Sequence, residues 1–96
     1  MTLQEIKEKL SRNKALLEEK YNVKSIGIFG SFAKDTFDRN SDIDILVEFS
    51  KTPDIFEFIR LEEFLSKLLG LKVDLVTRKA LKPLIKDTIL RETIYI

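Results

Sequence analysis

This 96-residue chain has no cysteine and no histidine. Their absence excludes disulfides, zinc held by thiolate or imidazole, cysteine nucleophiles and every histidine-dependent triad. Any metal bound here must be held by oxygen, which narrows the choice to magnesium, calcium or manganese. Long apolar runs are missing too. Charges interrupt each one well before membrane-spanning length, so no transmembrane helix is expected. The amphipathic, acid-containing start MTLQEIKEKL lacks the apolar core of a signal peptide, and a cytoplasmic location is the expectation. Nor does one sign of charge prevail: 17 Lys plus Arg stand against 16 Asp plus Glu. Net charge therefore gives no argument for nucleic acid as a direct partner. There is no GxGxxG and no GxxxxGK[ST], which sets aside the Rossmann and P-loop schemes.

What is present suits one small domain over residues 1–96, with 44% hydrophobic and 34% charged residues. Leu3, Ile6, Leu10, Leu17 and Tyr21 recur at helical spacing, and Thr2 with Glu5 makes a capping-box pattern, so the spacing predicts a helix over about 2–20. VKSIGIF (Val23 to Phe29) reads as a strand ending at Gly30, and Ser31 to Asp35 as a brief helical turn before the polar loop TFDRNS. Asp42 to Phe49 is a second strand. Pro53-Asp54 opens a helix to about Leu69, with Ile55, Phe56, Ile59, Phe64, Leu65 and Leu68 near one face and Gly70 as its stop. Leu71 to Val76 is a third strand. Lys82-Pro83 starts a last helix with Leu84, Ile85, Ile89 and Leu90 as its buried side, and the closing IYI is a strand end or a docked tail. This order predicts an α/β (α+β) fold: a small mixed sheet of three or more strands with helices packed on it.

The second strand opens with two aspartates, a residue class that strands usually exclude. Residues two apart on a strand project from one face, so Asp42 and Asp44 point the same way, while Ile43, Ile45 and Val47 line the other. Two carboxylates that close repel unless a cation neutralises them. A pair of oxygen ligands suits Mg²⁺, which takes one or two carboxylates plus substrate phosphates. Asp74 lies in LKVDLV in the same odd setting, and if its strand neighbours the second one it completes a triad. Two of the three acids would then bridge metal ions, with the third placing an attacking hydroxyl or a second metal. Gly30-Ser31 supplies the other half: glycine at a strand end admits a close ligand, and a following helical turn aims N–H groups at phosphate. Asp38, Asn40, Asp42 and Asp44 mimic a calcium loop, but Ile43 and Phe49 stand where it needs glycine and glutamate.

GSFAK (Gly30 to Lys34), SDID (Ser41 to Asp44) and VDLV (Val73 to Val76), in that order, resemble the signature of a minimal nucleotidyltransferase of the DNA polymerase β superfamily. Lys34 and Asp35 stand where members usually carry arginine then glycine; lysine keeps the charge without the bidentate fork, and Asp35 adds a negative charge. The resemblance implies the nucleotidyltransferase-like fold, with Gly30, Ser31 and Lys34 at the triphosphate of ATP. It gives Asp42, Asp44 and Asp74 to catalysis and to two Mg²⁺ ions. Small members are often antitoxins that pass AMP to a tyrosine of a HEPN-domain partner. Two alternatives stay open: an antitoxin that acts by binding alone, and a transferase for a small acceptor. So do the base (Asp74 or another group), the nucleobase and homo-oligomerisation. Arg78, Lys79, Lys82 and Lys86 form a basic cluster read as a solvated face, with phosphates or an acidic partner as the other reading.

Overall fold

The computed structural model describes residues 2–34 and 41–96. Asp35, the TFDRNS loop as far as Asn40 and the calcium-loop positions Asp38 and Asn40 lie outside them. Thr2 caps α1 (Leu3–Arg12) as the capping box predicts: the Glu5 N–H donates to Thr2 Oγ1 at 3.1 Å, and Thr2 N–H donates to Glu5 Oε1 at 3.4 Å. The expected single helix is in fact two. At Asn13 the backbone turns to φ −103°, ψ 8°, and its side-chain amide donates to the Lys9 carbonyl at 2.8 Å, an alternative to helical bonding that asparagine readily offers. α2 (Lys14–Tyr21) follows and ends at Asn22 in the left-handed region. The break costs no burial, since Ile6, Leu10 and Leu17 are all fully buried.

β1 (Val23–Phe29) is central in a sheet with β2 (Ile43–Phe49), β3 (Val73–Thr77) and a short β4 (Ile94–Tyr95), in the order β3-β2-β1-β4. β1 is antiparallel to β2 and β4, and β2 is parallel to β3. The mixed sheet is as expected, and the closing IYI is its fourth strand. A register shift between Val23 and Ser25 lets Val23 share the buried face with Ile26 and Ile28 despite the odd spacing. On that face β1, β2 and β3 pack Ile26, Ile28, Ile43, Ile45, Val47, Val73 and Leu75 into one core with side chains of α1, α2 and α3. Burying each such side chain stabilises the fold by roughly 1.5–3 kcal/mol.

A parallel β2–β3 pair demands a crossover, supplied by α3 (Ile55–Leu69). Asp54 caps it through a second capping box, and Gly70, at φ 68°, ends it. Its buried stripe is Leu61, Leu65 and Leu69, with Phe58, Phe64 and Leu68 packed beside them. Ser66 Oγ and Glu62 Oε2 accept from the Val73 and Leu75 N–H groups at 3.1 and 3.2 Å, so α3 also caps the edge strand β3. Part of the expected apolar face is exposed instead: Ile55, Phe56 and Ile59 lie off the side of α3 that carries Phe58, Leu61 and Leu65. α4 (Pro83–Glu92) departs further. It follows a 3₁₀ turn at Arg78–Ala80 and starts with Pro83 as expected, yet it contributes no buried residue, and Leu84 is 98% exposed. No described helix is long and apolar enough to cross a membrane.

Candidate active site

β1 runs out at Gly30, whose φ of 71° is a conformation that glycine tolerates and other residues resist. Lys34 N–H donates back to the Gly30 carbonyl at 3.2 Å, closing the helical turn expected after the strand. Phe32 is buried in the core and holds that turn down, with Ser31 half-buried beside it. Glycine is required a second way. A Cβ on Gly30 would collide with the Asp44 carboxylate, with Asp44 Cγ at only 3.1 Å.

The register explains that approach. Phe29 of β1 pairs with Asp44 of β2, and Asp44 pairs with Asp74 of β3. The expected neighbourhood of the second and third strands is real, and the two aspartates stand directly side by side. Asp42 sits just before β2, exposed, with its Oδ2 3.9 Å from Lys72 Nζ. Asp44 is half-buried and Asp74 exposed. Burial, then the charges of Asp74 and Asp42, push the Asp44 carboxyl above its usual range, and a side-chain hydrogen bond with Asp74 adds to the rise. As the side chains lie, no group of three acids among the described residues encloses a single point. Their all-oxygen chemistry and their uncompensated repulsion at Asp44 nonetheless fit a divalent cation held by aspartates.

Two site neighbours were invisible to sequence reasoning. Lys72 reaches Asp42, and Glu92, at the end of α4, places Oε2 3.2 Å from Lys34 Nζ. Neither belongs to a motif; only the register of β3 and the path of α4 bring them in. The basic cluster is mostly elsewhere. Arg78, Lys79 and Lys86 line a cleft of about 630 Å³ with Ile55 and Phe58, at the far ends of β2 and β3 from the aspartates. Arg78 meets Glu48 at 3.5 Å, and Arg78, Lys79 and Lys82 are exposed.

The nucleotidyltransferase domain family matches residues 4–96. The chain is 46% identical to a protein adenylyltransferase, MntA, of Thermococcus cleftensis, an alignment that covers all of this chain and 97% of the other. It is 54% identical to a Methanocaldococcus jannaschii chain assigned as a protein adenylyltransferase, covering 99% of this chain and 98% of that one. Among solved structures, a minimal nucleotidyltransferase superposes with a TM-score of 0.84 at 30% identity, over 98% of this chain and 95% of its own. A chain of a toxin–antitoxin complex with AMP-PNP gives 0.70 at 26% identity, over 99% of this chain and 72% of its own. Sequence and fold thus agree over nearly the whole length, and the chain belongs to the nucleotidyltransferase domain family.

Proposed function

We propose that this protein is an antitoxin of the cytoplasm that transfers AMP from ATP to a tyrosine hydroxyl of a HEPN-domain partner. The observation that carries the reading is that Gly30, at the end of β1, lies against the Asp44 carboxylate, which is itself paired in register with Asp74, so that the glycine turn and the acid pair adjoin. The likeness to a named protein adenylyltransferase and to a chain of a toxin–antitoxin complex with AMP-PNP supports it.

Gly30, Ser31 and the turn's N–H groups bind the triphosphate, and Lys34 adds a point charge to it. Asp42, Asp44 and Asp74 would hold Mg²⁺, which when bound neutralises charge on the phosphates and on the attacking oxygen. The acceptor oxygen forms its bond to the α-phosphorus as the bond to the bridging oxygen breaks, and pyrophosphate leaves. Asp74, the more exposed partner of the Asp44–Asp74 pair, takes the hydroxyl proton. Asp44, set between Gly30 and Asp74, would be kept for the metal.

The test is mass spectrometry of the protein co-expressed with a HEPN-type partner protein. An AMP adduct on a partner tyrosine is expected, and it should vanish in Asp42→Asn/Asp44→Asn. An adduct on RNA ends instead would overturn the reading. A second reading, neutralisation by binding alone, is favoured by the exposed Ile55, Phe56 and Leu84, which suit a protein contact. It takes over if the double variant neutralises its partner as well as the wild type does.

A further inference from the structure

We infer that Glu92 is a positioning residue for nucleotide entry: its carboxylate holds the Lys34 ammonium while no triphosphate is bound and yields it when one arrives. This rests on the proposed function, in which Lys34 serves the triphosphate. The two side chains meet at 3.2 Å, and Glu92 is Lys34's ion-pair partner among the described residues.

Both ends of the pair are fixed to the strand that leads into the site. Lys34 belongs to the turn that closes on Gly30. Glu92 ends α4, and the next residue, Thr93, donates its hydroxyl to the Ile89 carbonyl at 2.6 Å. Thr93 is buried with its methyl where Gly27 has no side chain: a Cβ there would lie 2.5 Å from Thr93 Cγ2. Ile94 and Tyr95 then pair with Ile28 and Gly27 of β1. The carboxylate is therefore held beside the phosphate turn by the sheet itself.

A lysine offers one compact charge, so a carboxylate and a phosphate compete for it. On the proposed function, Glu92 also sets a negative charge beside the lysine that serves the triphosphate. The contact is weak enough to exchange, because both side chains are more than a third exposed, at 55% and 39%. The pair tunes affinity rather than locking the site.

Titration calorimetry of the full chain with ATP, inorganic tripolyphosphate and AMP, each with Mg²⁺, tests this. Glu92→Gln should bind ATP and tripolyphosphate about two- to five-fold more tightly, the scale of an exposed ion pair. AMP, which lacks the outer phosphates, should bind as before, and Glu92→Asp should lie near the wild type. In a Lys34→Ala background, Glu92→Gln should bring no gain. Unchanged or weaker ATP binding by Glu92→Gln overturns the inference, as does an equal gain for AMP or a gain that survives Lys34→Ala. If the wild type binds neither ATP nor tripolyphosphate, the proposed nucleotide site falls and the role of Glu92 falls with it.

Discussion

The two faces of β2 differ in what they carry. Toward the helices the strand presents Ile43, Ile45 and Val47, all at 0% exposure. Toward the other side it presents Asp44, Leu46 and Glu48, with Asp42 just ahead. One seven-residue strand thus carries both a core and an acid site, because a period of two sends neighbours to opposite faces. The first face holds the protein together. The second gathers charges whose repulsion opposes folding, and Asp44 bears the clearest mark of it. A nucleotidyltransferase of this size keeps its site only because the other face stabilises the strand that bears it.

The sharpest way to break this comparison is on the acid face. Asp42→Asn, Asp44→Asn and Asp74→Asn should each lower the rate of AMP transfer by roughly 10³-fold or more, and double variants should be little worse than singles, as for residues acting as one unit. Adduct formation on the partner, followed by mass spectrometry, measures it. Near-normal transfer by Asp74→Asn would make that residue structural and split the triad.

On the core face the effect falls on stability. Leu65→Ala should cost about 2–5 kcal/mol, whereas Phe56→Ser, on an exposed turn of the same helix, should stay within roughly 0.5 kcal/mol. Urea unfolding of both variants gives the contrast. Similar losses would mean that α3 packs differently from its buried stripe of Leu61, Leu65 and Leu69.

Removing one acid should have the opposite sign. The folded state holds the Asp44 proton more tightly than the unfolded chain does. Its contribution to stability is therefore greatest below the ordinary carboxylate range, and it is lost as pH rises through the elevated folded value. Metal-free Asp44→Asn should melt a few degrees above the wild type at neutral pH, and the gap should close on acidification. Thermal melts across that range check both points; a variant that melts lower at neutral pH would contradict the repulsion.

The smallest effect is expected from the polar residues of β2 away from the aspartates. Glu48 pairs with Lys24 at 3.4 Å and with Arg78 at 3.5 Å, all three partly exposed. Glu48→Gln should change stability by less than about 1 kcal/mol, and less still at high salt. A larger loss in urea unfolding would show that this face also supports the fold.

Much of this was legible in order along the chain. Caps at Thr2 and Asp54, the stop at Gly70 and the strands around Gly30 and Asp44 are local signals, written in neighbouring residues. The candidate site was readable for the same reason: Gly30, Ser31 and the aspartate pair sit in short motifs at fixed spacing. The split at Asn13 was not, because one side-chain amide decided it against an otherwise continuous helical period. Nor was the exposure of Leu84 and Ile85, since periodicity marks an apolar face without saying whether anything covers it.

By itself, then, the sequence determined which residues carry charge, which strands alternate and where helices begin and end, because hydrogen bonding and side-chain period act between near neighbours. Only the tertiary structure decided that Asp74 stands beside Asp44, that Lys72 leans on Asp42 and that Glu92 reaches Lys34. Those contacts join segments far apart in the chain, and strand register and helix path set them rather than any local pattern.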